Sequence, residues 1–237
     1  ENISEVLYNS IVRVEFTNSM KESINATGFF MRIKINNREM KCLFTCKHVI
    51  SNDDINNNIV IYIYYGKKDK EEQRKIKLDK NKRFIKTFEE DVTLIEIIED
   101  DKISDDKYLT PDLNYEFGYN KYIDKDYYLA GYPSNYKKRC ISSGKITKIS
   151  DDDEKEFEHT IYTEEGSSGS PICNENCDVI GIHFQGNKIE CINYGIFIGR
   201  IIDTLKNESN IKKNVNENNN YIISEIYIRE KDINEDI

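Results

Sequence analysis

The sequence predicts an all-β fold, arranged as a barrel or a sandwich. Short runs alternate apolar with polar residues, they are rich in β-branched and aromatic residues, and almost no helical periodicity separates them. Many strands at short spacing are typical of antiparallel barrels and sandwiches. The first half contains such runs at 11–16, 27–35, 40–46, 59–65 and 92–98. The second half contains them at 127–132, 142–149, 159–163, 178–184 and 191–198.

The end of the chain has a different pattern. Residues 199–207 predict a helix with Ile201, Ile202 and Leu205 on one face. Residues 212–220 are polar and predict a linker, and 221–228 predict one more strand or a segment that contacts a partner. The acidic run 151–158 predicts a solvated loop, because it lacks the spacing and glycine of an EF-hand calcium loop.

Composition excludes some classes of function. The chain has 237 residues and a net charge of −9, which argues against nucleic acid as a partner because phosphate binding requires a basic face. No apolar run is long enough to cross a bilayer, and no signal peptide is visible at the start. Six cysteines without a disulfide-like spacing favour a reducing, cytoplasmic compartment, although a mature secreted fragment stays open.

Three residues in the order His, Asp, Ser could form a catalytic set. In "GSSGSP", the glycines Gly166 and Gly169 flank Ser168, so the backbone can turn tightly, expose the hydroxyl and direct amide N–H groups into one concavity. His48 follows a predicted strand, where an imidazole can serve as a general base. Asp91 opens "DVTLIEI" at the edge of another strand and could orient that imidazole. The order along the chain is that of the chymotrypsin-type triad.

The motifs resemble those of the chymotrypsin-like serine endopeptidases, and most of all the bacterial glutamyl endopeptidases of the V8 type. The similar segments are, in order, "ATGFF", "LFTCKHVI", "EEDVTLIEI", "LAGYPSN", "SSGKIT" and "EGSSGSPICNENCDVIGIHFQG". The resemblance covers about residues 10–205, and its most specific part is the stretch around Ser168.

The resemblance implies a fold and a set of roles. It implies two six-stranded antiparallel β-barrels, with residues 1–110 carrying His48 and Asp91, residues 111–205 carrying Ser168 and the specificity pocket, and 206–237 as a C-terminal extension. Ser168 would be the nucleophile, His48 the base, and Asp91 the group that holds the imidazole tautomer. The backbone N–H groups of Gly166 and Ser168 would form the oxyanion hole.

The resemblance also implies a specificity pocket. Thr163 and His183 match the positions that line S1, the pocket for the residue before the cleaved bond (P1). A hydroxyl and an imidazole N–H can donate to a carboxyl or amide oxygen, so cleavage is expected after Glu, with Gln or Asp next. Tyr162 stands where trypsin-like enzymes hold an aspartate, which argues against a basic P1 residue. His183 could instead be a hydrogen-bonded core histidine.

Several alternatives stay open. Ser167 replaces the aspartate that receives a freed N-terminal ammonium in zymogen-type enzymes, so that activation switch is expected to be absent. Cys173, Cys177, His183 and Cys191 could bind zinc, but paired or buried cysteines of a hairpin are the preferred interpretation. Cys46 is expected to be a buried strand residue.

The predicted function is that of a serine endopeptidase that needs no cofactor or metal. It would bind a protein or peptide substrate in extended form along a strand edge. Residues 206–237 could join a partner domain or protein. The rival functions are a catalytically silent peptide-binding module on the same fold and an esterase or transacylase that uses the same triad.

Overall fold

The structure, a computed structural model, describes residues 3–67, 70–133, 138–150, 154–187 and 192–219, with the backbone alone for Lys67 and 211–219. This part of the chain is mostly β, and its strands belong to a seven-stranded sheet followed by a six-stranded barrel. Its α-helices are α1 (Ile3–Ser10), α2 (Asn52–Asn56) and α3 (Ile198–Asn219). None of the described helices is both long and apolar enough to cross a membrane.

The first half of the chain forms the open, antiparallel sheet. Its strands are β1 (Ile11–Thr17), β2 (Ser23–Ile35), β3 (Arg38–Cys46), β4 (Val60–Lys67), β5 (Lys70–Lys77), β6 (Ile85–Thr87) and β7 (Val92–Glu96). They lie in the order β5-β4-β1-β2-β3-β7-β6, with β5 and β6 at the two edges of the described sheet. The predicted six-stranded first barrel is therefore wrong in its closure and in its strand number.

The second half closes as predicted into a six-stranded antiparallel barrel. Its strands are β8 (Asp126–Gly131), β9 (Cys140–Ile149), β10 (Glu156–His159), β11 (Pro171–Cys173), β12 (Val179–Asn187) and β13 (Ile192–Phe197). The cyclic order is β10-β13-β12-β11-β8-β9. The barrel interior is packed with aromatic rings, since the centroid of Phe197 lies 4.5 Å from that of Phe157 and 4.2 Å from that of Tyr119. Burying each such ring stabilises the fold by about 2–3 kcal/mol.

The chain passes from the first sheet to the barrel near residue 110. Leu109 bridges to Met31 in the first sheet, and Pro111 bridges to Val179 in the barrel. The predicted boundary at 110/111 lies at this crossing, and the division into independent domains stays a prediction.

A tight hairpin joins β2 to β3 and sets the register of the strands that lead to His48. Ile35 pairs with Arg38, and the two connecting residues, Asn36 and Asn37, have φ values of 47° and 66°. Two left-handed residues in succession are what a type I′ turn requires, and asparagine tolerates that conformation better than most residues.

Several elements differ from the sequence-based predictions. Helix α3 continues to Asn219, through the residues predicted to be a linker, and the segment 221–228 lies outside the described residues. Strand β10 begins at Glu156, inside the run predicted to be a loop, and ends at His159, where the sequence predicted a strand to begin. Helices α1 and α2 and strands β5, β6 and β11 were not predicted.

Candidate active site

His48 and Asp91 form a doubly hydrogen-bonded pair at the end of β3. The Nδ1 atom of His48 lies 2.6 Å from Oδ2 of Asp91, and the backbone N–H of His48 donates to Oδ1 of Asp91 at 2.9 Å. Both carboxylate oxygens are thus occupied by the same residue. Because an ionised carboxylate can only accept, the proton of this ring is held on Nδ1, which leaves Nε2 as a proton acceptor. The imidazole is half-exposed.

The backbone at Asp91 explains how its carboxylate reaches the histidine. Asp91 immediately precedes β7 and has φ of 58°, a left-handed conformation in which aspartate is enriched among non-glycine residues. Its carbonyl accepts a hydrogen bond from the N–H of Lys47 at 2.9 Å. Side chain and backbone of Asp91 therefore both bind the segment around His48, which holds the unusual conformation in place.

Two consecutive tight turns form the loop around Ser168, which is the second residue of the second turn. In the first turn the N–H of Ser167 donates to Glu164 O at 3.0 Å, and in the second the N–H of Ser170 donates to Ser167 O at 3.0 Å. The third residue of each turn is a glycine, Gly166 or Gly169, with φ of 88°. Type II turns require a left-handed third residue, so these glycines set the shape of the loop around Ser168.

The Ser168 loop contacts the first sheet through Thr27 of β2. Thr27 is fully buried, its N–H donates to Ser168 O at 3.2 Å, and its hydroxyl donates to Gly166 O at 2.8 Å. The same hydroxyl accepts from the N–H of Tyr132 at 2.8 Å. A Cβ on Gly169 would lie 2.1 Å from Thr27 O, so only glycine allows this approach. These contacts bring the two halves of the chain together at the predicted nucleophile.

The Ser168 loop also contacts β12. The N–H of Gly169 donates to His183 O at 2.9 Å, and the N–H of His183 donates to Ser170 O at 2.9 Å. The Ser168 hydroxyl donates to Phe184 O at 3.4 Å, a long bond, and makes no hydrogen bond to His48 in this structure. The N–H groups of Gly166 and Ser168 have no acceptor among the described residues.

Cys46 is buried beneath His48 and Asp91, as the sequence predicts. Its thiol donates to His183 O at 3.4 Å, and burial followed by the nearby Asp91 charge raises its pKa well above the ordinary thiol value. Within the described ranges, Cys46, His48 and Asp91 are the group whose potential metal-ligand atoms approach within 4.8 Å. The protonated thiol and the His48–Asp91 hydrogen bond make this a hydrogen-bonded cluster rather than a set of free ligands.

The predicted zinc alternative gains no support from the described residues. The Cys177 thiol donates to Ile3 O at 3.9 Å, and the His183 ring faces His159. Cys173 and Cys177 are free cysteines rather than a disulfide, as are Cys42, Cys46 and Cys140. Cys191 lies outside the described residues.

Thr163 and His183, the predicted pocket residues, each have a partner that the sequence did not reveal. The Thr163 hydroxyl donates to Asn193 Oδ1 at 2.8 Å, and Asn193 lies on β13. The Nδ1 atom of His183 lies 3.2 Å from Nε2 of the fully buried His159. Burial is the main cause that lowers the pKa of His183 to about 4 and that of His159 to about 3, so both rings are neutral at pH 7.

Comparison with known proteins gives a family and a fold. The sequence profile of the trypsin-like peptidase domain matches residues 26–182. The Rv3671c protease from M. tuberculosis, in its active form, has a similar structure with a TM-score of 0.61 and 16% identity, over 86% of this chain and 82% of that one. The serine endoprotease from Yersinia pestis has a TM-score of 0.61 and 14% identity, over 87% of this chain and 67% of that one.

Proposed function

The chain belongs to the trypsin-like peptidase domain family, and on that premise we propose that it is a serine endopeptidase with His48, Asp91 and Ser168 as its triad. The observation that carries the proposal is the doubly hydrogen-bonded His48–Asp91 pair, at the end of a strand whose hairpin partner holds the Ser168 loop. A triad is recognised by geometry and roles, and this pair has the geometry of an orienting carboxylate with its base.

The proposed chemistry is acyl transfer in two steps. The Ser168 hydroxyl rotates from Phe184 O towards His48 Nε2, gives up its proton there and attacks the substrate carbonyl. The resulting oxyanion is bound by the N–H groups of Gly166 and Ser168, which have no acceptor among the described residues. His48 then protonates the leaving amine, and water releases the acyl group by the reverse sequence. Asp91 stabilises the imidazolium that forms in each step.

The proposed S1 pocket lies beyond the nucleophile along β12, with Thr163 and His183 as its polar groups. The Thr163 side chain lies near β12 because a Cβ on Gly186 would be 3.5 Å from its Oγ1. Both side chains suit a P1 residue that ends in a carboxyl or carboxamide group. The order Glu first, then Gln or Asp, stays a prediction from the sequence.

One observation favours the alternative of a catalytically silent peptide-binding module. The Ser168 hydroxyl is bonded to Phe184 O and not to the base. A side chain held there permanently would leave the nucleophile without activation, whereas the proposed enzyme requires the hydroxyl to turn from Phe184 O towards His48.

A fluorophosphonate probe distinguishes the two functions because it reacts only with an activated serine. The wild-type protein should be labelled at Ser168, and labelling should disappear in Ser168→Ala and in His48→Ala. Ser170→Ala is the matched control: its hydroxyl lies in the same loop, is buried and has no hydrogen-bond partner in the part of the chain that the structure describes, so labelling should persist. A folded wild-type protein that is not labelled would establish the silent module instead.

A further inference from the structure

Asn193 fixes the direction of the hydrogen bond that it shares with Thr163. The Nδ2 atom of Asn193 lies 2.8 Å from Ile161 O, and a backbone carbonyl can only accept. The amide of Asn193 is therefore oriented with its nitrogen towards Ile161 and its Oδ1 towards Thr163. Because Oδ1 is also only an acceptor, the Thr163 hydroxyl must donate its single proton across the 2.8 Å to it. Thr163 is left with lone pairs to offer to any further partner.

This pair lies beside the strand that contacts the nucleophile. Asn193 is paired with Gly186 in the β12–β13 register, and a Cβ on Gly186 would lie 2.5 Å from Asn193 Oδ1. Phe184, two residues earlier on the same strand, accepts the hydrogen bond of the Ser168 hydroxyl. Thr163 and Ser168 therefore lie against the same strand two residues apart, which puts the proposed S1 pocket next to the nucleophile.

The second polar group of the pocket is a neutral donor. Only one proton can lie between Nε2 of His159 and Nδ1 of His183. Nδ1 of His159 is buried and has no partner among the described residues. If His183 donated, that nitrogen would carry a buried, unpaired N–H, which is rarer than an unpaired acceptor. His159 is therefore the donor, and His183 carries its own proton on Nε2. Burial keeps both pKa values low, so the pair provides no positive charge.

We infer that S1 selects a carboxamide over a carboxylate, so that P1 is Gln in preference to Glu, and that Asn193 is the positioning residue that creates this preference. A glutamine side chain accepts from His183 Nε2–H through its oxygen and donates from its nitrogen to Thr163 Oγ1. A glutamate would meet the Thr163 lone pairs with a second acceptor, and its charge would be uncompensated by the histidines. The inference rests on the proposed function and reverses the order that the sequence alone predicts.

The test compares two fluorogenic peptides that differ only in Gln or Glu at P1, at pH 7.5. A mismatched buried hydrogen bond to a charged group lowers kcat/KM by about 10–100-fold, so kcat/KM for the Gln peptide should exceed that for the Glu peptide by this factor. Thr163→Val removes the acceptor, and the Gln/Glu ratio should fall about 10-fold through loss of Gln cleavage. Asn193→Leu frees the Thr163 hydroxyl to donate, and the ratio should fall through a gain of Glu cleavage.

The ratio of kcat/KM for the Gln peptide to that for the Glu peptide does not depend on how much of a variant is folded, because the same folded fraction cleaves both peptides. Thr147→Val is the matched control: it removes an exposed hydroxyl of β9 that donates to the carbonyl of Glu158 on β10, and the ratio should not change.

A wild-type enzyme that cleaves the Glu peptide as well as or better than the Gln peptide overturns the inference and leaves the proposed protease intact. A protein that is labelled by fluorophosphonate but cleaves neither peptide also overturns the inference, and its activated Ser168 remains consistent with the proposed triad. A ratio that is unchanged in both Thr163→Val and Asn193→Leu overturns the role of this pair. A protein that is not labelled overturns the proposed function itself.

Discussion

Replacement of Thr27 by valine should destabilise the protein far more than its conservative size suggests. The Thr27 hydroxyl is fully buried, accepts from Tyr132 N–H and donates to Gly166 O, each at 2.8 Å. Valine has nearly the same shape but can make neither bond. The N–H of Tyr132, a residue only 2% exposed, would lose its partner at a cost of about 1–3 kcal/mol. The half-buried carbonyl of Gly166 adds about 1 kcal/mol, so the expected loss is about 2–4 kcal/mol.

Thr27→Ser is the matched control, because it keeps the hydroxyl and removes only a buried methyl group worth about 1 kcal/mol. Unfolding in urea, followed by circular dichroism, measures both variants. If the free energy of unfolding decreases by about 3 kcal/mol per M urea, the urea midpoint of Thr27→Val should be about 1 M below that of the wild type. The midpoint of Thr27→Ser should be clearly closer to the wild-type value.

The same pair of variants tests whether Thr27 also serves catalysis. Its hydroxyl holds the carbonyl of Gly166, whose N–H is proposed for the oxyanion hole, so fluorophosphonate should label folded Thr27→Val more slowly than Thr27→Ser. If valine and serine destabilise equally, the hydroxyl contributes nothing beyond packing, and the explanation of how the two halves are joined is incorrect.

Three further predictions concern other parts of the site. His159 and His183 bind protons in the unfolded chain below about pH 6.5, but in the folded chain only near pH 3 and 4. The free energy of unfolding should therefore fall between pH 7 and pH 5 by about 2 kcal/mol for each histidine. In His159→Phe the urea midpoint should fall about half as far over this pH range as it does in the wild type. Gly169→Ala should abolish labelling and lower the urea midpoint, because its Cβ would lie 2.1 Å from Thr27 O and its φ of 88° is unfavourable for alanine; retained labelling would contradict this. Asp91→Asn should lower kcat by about 10⁴-fold with a urea midpoint close to the wild type, since asparagine tolerates the same φ but no longer holds the imidazole tautomer.

The strands that were predicted correctly have a strong apolar pattern. Strands β1 and β12 are rich in Ile and Val, β3 contains Met, Leu, Phe and two cysteines, and all three are mostly buried, so their apolar pattern was readable. Strand β5 reads "KEEQRKIK", with a single buried position, Ile76, because an edge strand needs little apolar surface. Strand β6 has three residues, too few for any period. The sequence therefore revealed five of the seven strands of this sheet, and the closed six-stranded barrel was expected because the resemblance implies it.

In the candidate site, too, the features with a local sequence signal were predicted and the others were not. Glycines around Ser168, a histidine after a strand and an aspartate before one are local signals, and the structure joins His48 to Asp91 and brings the Ser168 loop against β2. The contact between Ser168 and His48 themselves was expected and is absent from this structure, where the hydroxyl bonds to Phe184 O. A side-chain rotamer depends on its immediate neighbours, which a single sequence does not specify.

The residues that sequence reasoning missed act through partners far along the chain. Thr27 bonds Gly166 across 139 positions, and Asn193 bonds Thr163 across 30. Within their own strands, a threonine in "ATGFF" and an asparagine in "CINYGIF" are ordinary residues with no local signature. We nevertheless expect their effect to be large, because a hydroxyl has one proton and its partner decides where that proton points. The residue types that line a pocket therefore indicate a class of ligand, whereas we expect the choice between a carboxylate and a carboxamide to depend on the hydrogen bonds behind them.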